Sequence, residues 1–298
     1  MTAERHSAAA AGQLADRLPP LLVAAERVAA ALNAGIHGRR RAGGGETFWQ
    51  SPHAPPGDRA AAIDWRRSAR GPGLFVREAE WAAAQGVWLW ADGSASMDWR
   101  SAAALPAKRD RAGLLALALA AALLRGGERV AWLGVGDGRP ACGPGSLERL
   151  AHDLRAAFAA PAPAAWPQPE RLPRHGELVL ISDFLLPEAV VTQGLAALAG
   201  WGVHGHLLQV LDPAEETLPY GGRVRFAGLE GDGEVLIRRA EDARAPYAAR
   251  LGDHRAMLAA RAAAHGWTFA CHHTDRPPQD ALLALFARLS LPRGGARP

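Results

Sequence analysis

The sequence predicts an α/β fold: a doubly wound, mostly parallel sheet with helices on both faces, plus an N-terminal helical and β-rich segment. Three observations carry that expectation. From Gly86 onward, short runs that are apolar on both faces alternate with helical stretches, the pattern of a sheet covered on both sides. Glycine pairs such as Gly126-Gly127 close the helical stretches where C-terminal punctuation belongs. At 298 residues, 49% hydrophobic and 21% charged, the chain can bury a large core.

Four regions follow in order. Residues 1–34 form a helical segment: Ala8 to Leu32 carry apolar positions at helical spacing, divided by Pro19-Pro20 into two pieces. Residues 35–85 change composition abruptly. GIHGRRRAGGGETFWQSPHAPPGDRAAAIDWRRSARGPGLFVRE is rich in Gly, Pro, Arg and Asp, and reads as turns and short strands, with its sharpest corner at Pro55-Pro56-Gly57-Asp58. Residues 86–290 make the α/β domain, and 291–298 a disordered tail.

Within the α/β domain, Val87–Ala91 is a near-continuous apolar strand and Ala107–Arg125 a long helix. Arg129–Val135 gives a second strand. Ser146–Ala159 gives a second helix, with Ser146 as its cap. A Pro/Ala linker (160–173) leads to the strand Glu177–Ile181, then the helix Pro187–Ala199 and the strand Val203–Leu211. Two short β-like runs, RVRF and EVLI, interrupt the alternation before Ala243–His265 (helix), Trp267–His272 (strand) and Pro277–Leu289 (helix).

Charge and cysteine content narrow the function classes. Net charge is only +4, and Lys108 is the only lysine, so the high pI of about 9.8 reflects arginine usage more than a polyanion-binding surface. Cys142 and Cys271 stand far apart and form no metal-type pair, which fits a reducing, cytoplasmic setting. The longest apolar run, Ala112 to Leu124, is too short to span a bilayer and suits a buried helix.

The chemistry sits where strands end. WLWADGSASM leaves an apolar strand through Asp92, Ser94 and Ser96, and LVLISDF ends in Ser182-Asp183. Doubly wound sheets bind ligands beyond the carboxyl ends of their strands. A carboxylate and two hydroxyls on one loop, joined by a second carboxylate, form a hard oxygen set of the kind Mg²⁺ or Mn²⁺ prefers. A lone D-x-S-x-S would be an ordinary capped turn; Asp183 at a second strand end favours a shared ligand.

DGSASM resembles the D-x-S-x-S loop of von Willebrand factor type A domains, which builds their metal-ion-dependent adhesion site. PPGDRAAAIDWRRSARGPGLFVRE resembles the signature of the Domain of Unknown Function 58 family, von Willebrand-A-like proteins usually encoded beside MoxR-type AAA+ ATPases. The likeness runs on through LVLISDF, HLLQVLDPAE, GLEGDGEV and the Tyr247…His254 stretch, covering Gly35 to about Leu289. It implies a von Willebrand-A-like fold and a metal site formed by Asp92, Ser94, Ser96 and Asp183. It further implies a structural motif at Gly57, Asp58, Asp64, Trp65, Arg66, Ser68 and Arg70. One departure stands out: such sites take a Thr from an intervening loop, and AAPAPAAWPQPERLPRHG offers no Thr or Ser. The expected metal site is therefore incomplete and weak.

The remaining features have structural readings. Arg66 and Arg70 have Asp58 and Asp64 as nearby partners, whereas Arg39, Arg40 and Arg41 have no acid nearer than Glu46 and remain candidates for binding an acidic partner. His204-Gly205-His206 lacks a third ligand, and Cys271-His272-His273 reads as a strand end. Gly134 to Gly138 lacks the ending of a phosphate loop and reads as a tight hairpin turn.

Three functions compete. The favoured one is a non-enzymatic, metal-assisted protein-interaction module that works with a MoxR-type AAA+ ATPase on the assembly or maturation of a client protein. The second is a metal-dependent hydrolase or phosphotransferase, which calls for a D-x-D pair or a lysine beside the metal; position 94 is Ser, and Lys108 lies sixteen residues beyond Asp92. The third is nucleic-acid binding through the Arg-rich segment, which steep salt dependence would mark.

Overall fold

The computed structural model describes residues 22–30, 86–160, 164–168, 172–229 and 233–289. The chain divides into two compact units, residues 1–35 with 85–298 and residues 36–84. The second unit lies outside the described residues, and so do Arg39, Arg40, Arg41 and the motif from Gly57 to Arg70.

The larger unit is built on a parallel sheet. β1 (Gly86–Ala91), β2 (Arg129–Trp132), β3 (Glu177–Ser182), β4 (His204–Leu211) and β7 (Thr268–His273) are ordered β2-β1-β3-β4-β7. Every neighbouring pair is parallel. From β1 the chain first adds β2 on one side and then β3 on the other. The strand order therefore reverses between β1 and β3, the place where such sheets open a crevice. β5 (Val224–Ala227) and β6 (Glu234–Ile237) form a separate antiparallel hairpin.

Two apolar cores lie on opposite faces of the sheet. Alternate residues point opposite ways along a strand. Val87, Leu89, Val179, Ile181, Leu208 and Val210 thus face one core, while Trp88, Trp90, Leu178, Leu180 and Leu207 face the other. The first core is filled by α1 (Lys108–Arg125), α2 (Ser146–Phe158), α6 (Pro278–Leu289) and the helical stretch 22–30. The second takes α3 (Glu188–Ala199) and α5 (Ala240–Ala264). α1 is buried along nearly its whole length, from Ala112 to Leu123, which explains its lack of a polar stripe.

Local chemistry moves several expected boundaries. Ser146 does not cap α2: Gly145 takes the cap position with φ 78°, and Ser146 is buried in the first turn without a capping bond. Only glycine adopts that left-handed conformation freely, so the glycine sets the helix start. β2 stops at Trp132, short of the expected Val135, as the chain turns through Gly134 at φ 75°; the returning Ala141 pairs with Val130 at 3.0 and 3.1 Å. α5 begins three residues before the expected Ala243 and accommodates Pro246 beyond its first turn. Gly205 permits close packing: a Cβ there would lie 1.9 Å from the Trp267 ring, whose Nε1–H donates to Val203 O at 3.1 Å.

Candidate functional site

The carboxyl ends of β1 and β3 are sewn together before any side chain is considered, since Asp92 N–H donates to Ile181 O at 2.9 Å. Asp92 then accepts two further bonds. Ser94 N–H donates to Oδ1 at 2.8 Å, and Ser182 Oγ–H donates to Oδ2 at 2.6 Å. The Ser94 and Ser96 hydroxyls lie 3.2 Å apart, Ser94 preceding and Ser96 lying within a short 3₁₀ turn (Ala95–Asp98) that buries Met97. The sequence therefore makes a compact Asx turn whose hydroxyls gather beside one carboxylate.

On the β3 side the backbone turns sharply. Phe184 has φ 52°, an uncommon conformation for a bulky residue, and is held there on both sides. Its N–H donates to Ser182 Oγ at 2.9 Å, and its carbonyl accepts from His254 Nε2 at 2.7 Å. This turn presents the Asp183 carboxylate, whose Oδ1 accepts Leu185 N–H at 3.1 Å, while Gln209 Nε2 supports the Asp183 carbonyl at 2.8 Å.

A lysine completes the cluster. Lys108 Nζ donates to Asp183 Oδ2 at 2.8 Å and to Glu215 Oε1 at 2.6 Å, with its side chain only 1% exposed. Glu215 sits in α4 (Pro213–Thr217), where an Asp212–Glu215 capping box fixes it; its Oε2 accepts Asp212 N–H at 2.9 Å. Asp212 in turn accepts Ser101 N–H at 2.9 Å. Four segments, after β1, after β3, after β4 and at the start of α1, thus meet in one polar network.

Its electrostatics follow from burial. Desolvation raises the Asp92 carboxyl to about 6, against the opposing bonds from Ser182 and Ser94, and the neighbouring Asp183 charge adds to the rise. Burial also pushes Glu215 up, offset in part by Lys108. For Lys108 burial works against the ammonium, yet the charges of Asp183 and Glu215 outweigh it and keep the group protonated.

Above the cluster opens a cavity of about 500 Å³. Ser96, Lys108, Asp183 and Glu215 contribute its polar part, while Leu185, Leu218, Phe226 and Tyr247 are among its apolar and aromatic walls. Leu185 and Leu229, also on its lining, are exposed hydrophobic residues.

The structure brings Asp92, Ser94, Ser96 and Asp183 to one edge of the sheet. Among the described residues no three His, Cys, Asp or Glu side chains converge at metal-binding geometry, so the candidate ligand set is two carboxylates and two hydroxyls. Those hard oxygens fit Mg²⁺ or Mn²⁺ in kind. Each carboxylate oxygen already accepts one hydrogen bond and keeps a second lone pair.

Lys108 is not remote from the candidate ligands. Separation along the chain set Lys108 apart from the candidate ligands, whereas α1 begins against the β3 loop and puts its ammonium 2.8 Å from Asp183. Two signals pointed to the missed pair. A single retained lysine stands at a helix N-terminus, where the helix dipole disfavours a cation, and D-P-x-E is a capping-box pattern.

Three histidines singled out in the sequence have partners of their own. His206 is buried between Glu177 (3.2 Å) and Thr268 (2.8 Å), at the start of β4. His273 bonds Glu216 at 2.5 Å, and Arg255 with His273 holds that carboxylate down to about 2. His272 is pushed down to about 4 by burial and by Arg111.

Fold and site together define a doubly wound α/β protein with a charged, partly buried cluster at its topological switch point. The chain belongs to the family described as protein of unknown function DUF58, whose model matches residues 53–257. That description names no reaction. Among solved structures, the conserved hypothetical protein BatB from Bacteroides thetaiotaomicron is 15% identical, with 69% of this chain and 98% of that one covered at a TM-score of 0.40. An aerotolerance-related membrane protein from Bacteroides fragilis, carrying multiple mutations to serine, is 17% identical, with 68% and 97% covered at a TM-score of 0.39. No curated protein matches the chain. Among the described residues no helix is long and apolar enough to cross a membrane.

Proposed function

We propose that this protein is a non-enzymatic, cytoplasmic interaction module of the von Willebrand-A-like type. A partner docks on it at the carboxyl edge of the sheet. In this reading Asp92, Ser94, Ser96 and Asp183 hold Mg²⁺ or Mn²⁺, whose chemistry there is to accept a carboxylate oxygen from the partner. The carrying observation is the pairing of a rigid oxygen cluster with an open cavity whose walls are apolar and aromatic. Apolar walls supply area for docking, and a small number of placed polar groups supply orientation. The partner proposed is a MoxR-type AAA+ ATPase, with which the protein acts on the assembly or maturation of a client.

Lys108 stands where the alternative, a metal-dependent hydrolase or phosphotransferase, would want a lysine. Its ammonium is held protonated by two carboxylates and is nearly inaccessible, so it is poorly placed to act as a base or to meet a substrate.

Biolayer interferometry tests the reading, with a purified MoxR-type AAA+ ATPase and the wild-type chain in Mg²⁺ or in EDTA. The expected result is binding that chelation weakens and Asp92→Asn weakens equally. Absence of binding, or binding indifferent to both changes, would contradict it.

A further inference from the structure

The cation already present in this cluster belongs to the protein. Lys108 Nζ lies between one oxygen of Asp183 and one of Glu215, at 2.8 and 2.6 Å, and lines the same cavity as Ser96. Its two acceptors are not free to follow it. Glu215 is pinned by its capping box, and Asp183 by Leu185 N–H and, through its carbonyl, by Gln209. The ammonium, on a four-carbon stem, is bonded to both and can keep Glu215 when it gives up Asp183. An arginine could not replace it equivalently, because a planar fork spreads its charge over a wider, fixed geometry. This chain uses arginine at every other Lys/Arg position, so the one lysine stands where a compact charge is needed.

We propose that Lys108 is a built-in counter-ion that competes with a divalent cation for Asp183, so that metal entry leaves the ammonium on Glu215 alone. The proposal rests on the metal-assisted reading and adds its regulation. While Lys108 holds Asp183, its carboxylate is neutralised without metal, and an incoming dication meets both an engaged oxygen and a like charge. When the ion takes Asp183, Glu215 still neutralises Lys108. α4, which carries Glu215, also places Ala214 on the cavity lining, with Leu218 directly after it, so the exchange is felt at the docking surface.

Two measurements decide it. Lys108 gives a single side-chain signal in protein labelled with ¹⁵N/¹³C-lysine. That resonance should shift on titration with Mg²⁺ in the wild type and stay fixed in Asp92→Asn. In isothermal titration with Mn²⁺, the charge-conserving double variant Lys108→Met/Glu215→Gln should bind about tenfold more tightly than wild type, and adding Asp92→Asn should abolish the gain. Circular dichroism checks that each variant is folded, and the wild-type resonance decides the matter if the double variant is not.

Asp92-dependent binding of equal strength in wild type and double variant, with an unmoved lysine resonance, overturns the role of Lys108 and leaves the metal reading intact. No heat from either protein overturns both. Tighter binding that does not depend on Asp92 also overturns the proposal.

Discussion

Asp92→Asn should stabilise the protein above pH 6 and do nothing comparable below pH 4. The wild-type carboxyl titrates at about 6 in the folded chain against 3.8 in its ordinary state, chiefly because it is desolvated. A raised folded value means that the folded state holds its proton more firmly. The stabilising contribution is complete below 3.8 and is lost as pH rises through about 6. The gap of about two pH units corresponds to about 3 kcal/mol of folding free energy. Asparagine carries no charge to desolvate and can keep the bond from Ser94 N–H through its amide oxygen. The wild-type curve alone is not diagnostic: His272, held neutral at about 4, contributes stability that grows with pH over nearly the same window. The difference between the two proteins isolates Asp92. Urea unfolding at pH 3.5, 5 and 7.5 should show the variant gaining about 3 kcal/mol on wild type between the extremes. A constant difference across that range would refute the assignment of a desolvated, raised Asp92.

Other substitutions probe neighbouring steps. Lys108→Met leaves Asp183 and Glu215 without their counter-charge and should cost about 3–5 kcal/mol by urea denaturation at neutral pH. Gly205→Ala forces a methyl to within 1.9 Å of the Trp267 ring; thermal unfolding should show a loss of about 1–3 kcal/mol or more. Leu185→Asp alters an exposed cavity-wall residue, so stability should stay within about 0.5 kcal/mol while affinity for the ATPase falls severalfold in interferometry.

The sheet was legible in the sequence because its strands are apolar on both faces. GVWLWA, ELVLIS and HGHLLQVL can be little else when helices separate them. Their carboxyl ends were legible for the same reason: Asp92 and Asp183 are the first carboxylates after long apolar runs. Strand order was not, since nothing local in VWLWA says that β3, and not β2, supplies the partner of Asp92. The role of Lys108 was hidden for a related reason. Its partners lie 75 and 107 residues away, and only the packing of α1 across the sheet brings them within reach. Ser146 shows the local limit. A serine before a helix suggests a cap, but the preceding glycine can adopt a backbone conformation that serine adopts rarely, and it takes that position.

The central claim, a divalent site between the β1 and β3 ends, is tested most directly by paramagnetic broadening with Mn²⁺ in the ¹H–¹⁵N spectrum of the wild-type protein. Amide signals of residues 92–97 and 182–185 should vanish at substoichiometric Mn²⁺, while those at the opposite, amino-terminal edge of the sheet, Gly127, Gly176, Gly202 and Gly266, stay sharp. Broadening centred on any other part of the chain, or none at all, would contradict the account.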